Sequence, residues 1–206
     1  SRMYEQAGRK LQFEPWRDEA LQVLCQYFSD DASFEERGQA LGRSWSLEKG
    51  ILIVGPVGCG KTSMLRLFEM NQKRSFRMFN TLEVYEDIRC QKEKGDRKRL
   101  VAQLAGRQPG MHGKVVFGQD YEDVALDDLG TDQACNDYGT SEDFIADLLY
   151  KRHEAKLTTH GTSNLVKLDA DHFPFRERYG DRLASRFAQM FNMIIFPNDA
   201  TDLRSL

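Results

Sequence analysis

The sequence predicts an α/β fold, a three-layer α/β/α sandwich around a five-stranded parallel sheet. Three observations predict it. Short apolar segments alternate with amphipathic ones, the order expected of strands and crossover helices. Ile51–Val54 is apolar without alternation, as in a strand covered on both faces. A glycine-rich turn, "GPVGCGKT" at 55–62, follows that strand and leads into a helix-forming run.

Residues 11–28, "LQFEPWRDEALQVLCQYF", predict a helix with Leu21, Leu24, Cys25 and Phe28 on one face. Residues 29–50 are polar and read as loop, with a short turn near "SWSLEKG". Ile51–Val54 is the first strand and 61–72 the helix after it. "FRMF" at 76–79 is a second strand. "LEVYEDIRCQKEK" at 82–94 is a helix with Val84, Ile88 and Cys90 inward. The segment 95–120 carries six glycines and prolines at Gly95, Gly106, Pro109, Gly110, Gly113 and Gly118 and reads as irregular. "DVALDD" at 123–128 is a third strand. "SEDFIADLLYKRHEA" at 141–155 is a helix capped by Ser141, with Phe144, Ile145, Leu148 and Leu149 as its stripe. "LTTHGTS" at 157–163 is a fourth strand. "DRLASRFAQMF" at 181–191 is a helix with Leu183, Phe187, Met190 and Phe191 on one side, and "NMIIF" at 192–196 is a fifth strand closed by Pro197.

Composition bounds the function. A length of 206 residues suits one compact domain or one domain with a small appendage. The net charge of -3 argues against a broad basic footprint for nucleic acid, while leaving room for a local patch. No apolar run approaches the roughly 20 residues that span a bilayer, and no secretory leader pattern is present. Cys25, Cys59, Cys90 and Cys135 lack CxxC spacing and read as reduced thiols of a cytoplasmic protein. The chain opens on Ser1 and not Met, as expected of a fragment that lacks an N-terminal partner-binding region.

The turn at 55–62 fits GxxxxGK[ST], the Walker A or P-loop motif, in its expected setting between strand and helix. Gly55, Pro56, Val57, Gly58, Cys59 and Gly60 would form the loop, its glycines turning successive N–H groups towards phosphate oxygens. Pro56 and Cys59 fill the loop. Lys61 would reach the β- and γ-phosphates of ATP, and Thr62 would ligate Mg²⁺, with Ser63 next along the helix. A nucleotide site needs a second anchor for the metal. Asp127 ends an apolar strand and would hold Mg²⁺, while Asp128 would polarise the attacking water as a Walker B pair. Asn164 ends the strand "LTTHGTS". It would lie beside the γ-phosphate, as a water-orienting sensor, if that strand sits between those of Walker A and Walker B. His160, in mid-strand, reads as a buried, hydrogen-bonded histidine.

Taken together, "GPVGCGKT", "DDLGTD", "FIADLLYKRHE", "THGTSN" and "YGDRLASRF" resemble the AAA+ ATPase module, and within it the bacterial DnaC-type replicative helicase loaders and IstB-type transposition helper ATPases. The resemblance covers roughly 50–206, leaving 1–49 as an N-terminal helical segment leading into the ATPase domain. It implies a P-loop NTPase sheet of order 5-1-4-3-2. It implies ATP hydrolysis with Mg²⁺ at the interfaces of a homo-oligomer, and a DNA-acting partner such as a replicative helicase or transposase. It implies that Arg186 is an arginine finger entering a neighbour's site, with Arg182 one turn earlier as the alternative. It also implies a sensor 2 role for Arg204, an acid-restraining role for Asn80, and an adenine pocket lined by Phe13 or Trp16, for which core packing is the other reading. Relatives carry Glu where this chain has Asp128, one methylene shorter, so turnover is expected to be slow. The segment 95–123 is longer than the usual link before Walker B, no helical lid follows the last strand, and nothing resembles a separate DNA-binding domain.

Lys92, Lys94, Arg97, Lys98 and Arg99 form a basic cluster that could track single-stranded DNA, diluted by Glu93 and Asp96. Two other functions stay open. A P-loop kinase would use "FRERYGDRLASR" as a lid, although tandem aspartates suit a water-admitting site better. A nucleotide-gated adaptor would bind ATP and scarcely hydrolyse it.

Overall fold

The computed structural model describes residues 14–91, 93–106, 123–132, 135–137, 140–165 and 174–204. The N-terminal part holds helices α1 (Pro15–Phe28) and α2 (Ser33–Ala40). Strand β1 (Gly50–Val54), helix α3 (Lys61–Arg66), strand β2 (Arg77–Asn80), and helices α4 (Thr81–Arg89) and α5 (Lys94–Leu104) follow. Next come β3 (Val124–Leu129), a hairpin of β4 (Cys135–Asp137) and β5 (Thr140–Glu142), and α6 (Phe144–Glu154). The chain closes with β6 (Thr159–Ser163), α7 (Pro174–Met190) and β7 (Phe191–Ile195).

The main sheet is parallel in the order β2-β3-β6-β1-β7. Counted over the five predicted strands this is 5-1-4-3-2 read from the other edge, as expected. Strand β1 is interior and buried throughout because helices cover both faces. Alternate side chains leave it in opposite directions. Leu52 and Val54 join the core under α4 to α7 with Leu126, Leu148 and Phe187. Ile51 and Ile53 join the core under α1 to α3 with Leu24, Phe28 and Leu65. Two facing cores explain an apolar run with no visible period.

Several expectations are corrected. Residues 33–40, expected to be loop, form α2. Its only fully buried residues are Phe34 and Gly38, too few to show a period in sequence. Gly38 lets Trp45 close on the helix, since a Cβ there would lie 2.6 Å from the indole side chain. The helix expected over 61–72 ends at Arg66 and continues as turns. The helix expected over 82–94 ends at Arg89, and Cys90, expected inward, is exposed. Part of the segment expected to be irregular forms α5, while 107–122 lies outside the described residues. Asp143, not Ser141, caps α6: its Oδ1 accepts from Ala146 N at 3.0 Å, and Ser141 belongs to β5. Helix α7 begins at Pro174 rather than near 181 and kinks at Gly180, whose φ of 77° and ψ of 164° are not helical.

His160 is buried among Tyr27, Phe28 and Phe76, and its Nδ1 accepts from Ile51 N at 3.0 Å. Burial pulls its pKa down to about 3, and the charges of Arg74 and Arg152 add to that. The native ring therefore stays neutral where the unfolded ring takes a proton. Between pH 6.5 and about 3 the unfolded state binds more protons, so stability falls as pH falls. The expected loss is about 1.4 kcal/mol per pH unit in that window, relative to a His160→Gln variant. Urea unfolding of both proteins from neutral pH downwards checks it; parallel losses would overturn it.

Candidate functional site

The site lies at the C-terminal ends of β1, β3 and β6, where parallel strands leave a crevice between their loops. Gly55 N donates to Ser163 O at 3.2 Å, tying the glycine-rich loop to β6. Gly58 and Gly60 have φ of 78° and 94°, which L-side chains rarely adopt, so the loop can wind tightly before α3. Val57 is exposed at its tip, and Ser63 is exposed on α3. Cys59 is buried, with its thiol donating to Pro56 O at 3.0 Å; burial raises its pKa. It fills the loop.

Lys61 opens α3 and is buried. Its Nζ donates to Pro56 O at 2.7 Å and to Asn164 Oδ1 at 2.6 Å. Burial holds its pKa below the usual lysine range, against the pull of Cys59, Asp128 and Asp127. The positive charge of Arg204 adds to the lowering, so that residue's guanidinium is within electrostatic reach of the ammonium.

The acidic pair owes its aim to a bulge. Leu126 pairs with Gly161 but Leu129 with Ser163, so β3 spends one more residue than β6. Asp128 takes up the difference with a φ of 59°, unusual for a residue with a side chain. Asp127 Oδ1 accepts from Thr62 Oγ1 at 2.8 Å and from Thr162 Oγ1 at 2.5 Å. Thr162 Oγ1 in turn accepts from Asp128 N at 3.0 Å. Asn164 Nδ2 donates to Asp128 Oδ1 at 3.1 Å while its Oδ1 accepts from Lys61. One amide thus bridges the lysine and the second acid, and these two bonds fix which way it points.

Lys61, Thr62, Asp127, Asp128 and Asn164 therefore meet in one bonded group. The strand order makes this possible, because β6 lies between β1 and β3. The donor set fits a magnesium phosphate: a threonine hydroxyl and a carboxylate beside each other, hard oxygen ligands for the ion, and a desolvated ammonium opposite. Thr162 went unnoticed in the sequence. Its only signal is a hydroxyl two residues before Asn164.

Two further elements border the loop. Leu203 N donates to Gly58 O at 3.1 Å, and a Cβ on Gly58 would lie 1.9 Å from Asp202 Oδ1. Arg17 of α1 donates to Cys59 O at 3.2 Å and to Thr201 O at 3.4 Å. The chain's last described residues are therefore held against the loop. Trp16 packs on Phe196 at 4.7 Å between ring centroids, a core contact; Phe13 lies outside the described residues.

Arg186 stands apart from this group. Its guanidinium lies over Tyr150 of α6 at 4.6 Å and pairs with Glu154 at 3.9 Å. Arg182 lies 5.1 Å from the same ring and donates to its hydroxyl at 3.1 Å. Asn80 Oδ1 caps α4, accepting from Leu82 N at 2.9 Å and Glu83 N at 3.2 Å. In the basic cluster, Arg97 turns to Gln91 O and Glu142, whereas Lys98 and Arg99 are exposed. Lys92 and the Lys94 side chain lie outside the described residues.

No family model matches the sequence, and no curated protein matches it. A solved structure described as the crystal structure of the DnaC helicase loader resembles it, with a TM-score of 0.57 at 16% identity. The match covers 91% of this chain and 94% of that one. At that identity the likeness shows the fold, a P-loop NTPase α/β sandwich. No helix among the described residues is long and apolar enough to cross a membrane.

Proposed function

We propose that this chain is an ATP-hydrolysing AAA+ protein of the helicase-loader or transposition-helper kind, working in the cytoplasm as a homo-oligomer that forms through ATP at subunit interfaces. The observation that carries the reading is the bonded group of Lys61, Asn164 and Asp128, with Thr62 and Asp127 beside it, at the end of the central strands. In this proposal the loop amides of 55–60 and Lys61 grip the triphosphate. Lys61 exchanges its bonds to Pro56 O and Asn164 for phosphate oxygens, which frees Asn164 to hold water with Asp128. Asp128 takes a proton from that water as it attacks the γ-phosphorus, and ADP leaves with the broken bond. Thr62 and Asp127 would hold Mg²⁺, which neutralises charge on the phosphates when bound. Arg204 supplies positive charge in cis. Arg186, or Arg182 one turn before it, leaves Tyr150 and completes a neighbouring subunit's site. The partner is a DNA-acting protein, a replicative helicase or a transposase. Single-stranded DNA would lie along the exposed Lys98 and Arg99.

The test is sizing of the full chain with and without a slowly hydrolysed ATP analogue, Mg²⁺ and single-stranded DNA, together with two variants. Arg186→Ala should bind nucleotide as the parent does and lose phosphate release by about 10³-fold. Mixing it with Lys61→Ala, whose arginines are intact, should restore part of the turnover. An Arg186→Ala protein as active as the parent, with Arg182→Ala equally active, would overturn the trans assignment. Asp128 is short and already bonded to Asn164, which favours a second reading: a nucleotide-gated adaptor with little hydrolysis. Phosphate release that is equal in the parent and Asp128→Asn would select it.

A further inference from the structure

Two of the sequence motifs prove to be halves of one buried contact. Asp132 closes "DDLGTD", and Arg178 and Tyr179 open "RYGDRLASR". The Asp132 side chain is fully buried. Its Oδ1 accepts from Tyr179 Oη at 2.8 Å and from Gly130 N at 3.3 Å, and its Oδ2 pairs with Arg178 Nη2. Arg178 Nε donates to the Asp132 backbone carbonyl at 2.8 Å. The other arm of the guanidinium reaches Asp143, the cap of α6. A forked cation of this kind fixes both angle and distance between the groups it joins.

The contact is wired to the acidic pair by very few bonds. Asp128 O accepts from Thr131 N at 3.2 Å and from Thr131 Oγ1 at 2.8 Å. Asp132 is the next residue. A change in the position of Asp128 is therefore passed through one tight turn to a rigid, buried clamp on α7.

On the far side of the clamp the helix breaks at once. Gly180 follows Tyr179 directly, in a region of φ and ψ that is essentially reserved for glycine. Among the described residues, no atom beyond its chain neighbours and the nearby backbone of the same helix lies within 4 Å of where its Cβ would sit. Residues 174–179 are bound to the loop after β3. Residues 181–190 carry Arg182 and Arg186 and rest on Tyr150. Helix α7 is thus two segments that meet at one glycine, and Phe187 of the second packs on Phe175 and Tyr179 of the first, with ring centroids 4.6 and 5.9 Å apart.

We propose that Arg178 is a positioning residue: it couples nucleotide occupancy at Lys61 to the orientation of residues 181–190, with Gly180 as the hinge. The inference rests on the reading of Arg182 and Arg186 as groups offered to a neighbouring subunit. It adds that their presentation depends on the state of their own subunit's site. Nucleotide that draws Lys61 from Asn164, the side-chain partner of Asp128, shifts the 128–132 turn, and the clamp carries that shift into α7.

The test is hydrogen exchange of the full chain, followed over amides 181–190, with and without a slowly hydrolysed ATP analogue and Mg²⁺. Binding is titrated on the same samples. In the parent, the analogue should change exchange in this segment by at least about threefold. The pair Asp132→Asn with Arg178→Met removes both charges at similar volume. It should bind the analogue within about twofold of the parent and lose the response at 181–190. Gly180→Ala leaves the clamp intact and should blunt the same response by straining the hinge, which covers the case where the double variant fails to fold. An unchanged segment in the parent overturns the proposal, as does a full response in either variant or a double variant that loses analogue affinity tenfold. Failure of the parent to bind the analogue overturns the reading of the Lys61 site as well, and the titration separates the two outcomes.

Discussion

On the proposed ATPase reading, Lys61→Ala should lower nucleotide-dependent phosphate release by about 10²–10³-fold at saturating ATP. The cause is electrostatic. The ammonium is buried, and its closest bonds are to neutral oxygens, those of Pro56 and Asn164. A cation so poorly solvated gains most when a triphosphate arrives. The same feature costs stability. Because burial lowers the folded-state pKa, the unfolded chain binds the proton more readily than the native one. Stability therefore rises with pH between the folded and unfolded pKa values, and below that window the charged Lys61 is a burden on the fold. Lys61→Met should accordingly unfold at a higher urea concentration than the parent while failing to release phosphate. Loss of activity together with loss of stability would show that Lys61 is a structural residue.

Arg152→Met should lower the unfolding free energy by about 3 kcal/mol, equivalent to roughly 6–12 °C in Tm for a chain of this size. Arg152 is 2% exposed and heads the fully buried side chains by volume. Its Nε donates to Thr159 Oγ1 at 2.8 Å, its Nη1 to Leu104 O at 3.1 Å and its Nη2 to Thr158 O at 2.6 Å. One side chain thus closes the end of α5 and the start of β6 from a position on α6. Burial lowers its pKa to about 10, so it stays charged at neutral pH, helped by Asp123. Methionine would fill the volume but leave two carbonyls without their charged donor. Arg152→Lys keeps the charge and loses the fork, and should fall between the two. Lys98→Met, on the exposed face of α5, should change stability by less than about 0.5 kcal/mol. A loss at Arg152 no larger than that at Lys98 would overturn the assignment.

Much of the fold was legible because its signals are local. Strand β1 declares itself by an uninterrupted apolar run, and α6 by four apolar residues at helical spacing, all of them buried. Helix α2 is hidden because Phe34, whose ring lies 5.0 Å from that of Trp45 and 5.2 Å from that of Tyr27, is the one large apolar side chain it buries, and one residue has no period. The cap of α6 was misplaced because Asp143 and Ser141 are both good caps. The β4–β5 hairpin decided the matter by taking Ser141 into a strand.

The loop of the candidate site follows from local residue order alone. Gly58, Gly60, Lys61 and Thr62 are neighbours in the chain, and a turn followed by a helix needs only local backbone preferences. What that loop faces is set by contacts between residues far apart in the chain. The Lys61–Asn164 bond spans 103 residues, the Thr62–Asp127 bond 65 and the Arg178–Asp132 contact 46. Such pairs are brought together by strand order and by a bulge in β3 that turns Asp128. Neither leaves a mark on residue spacing, because both depend on which strands hydrogen-bond across the sheet and on how two buried faces pack.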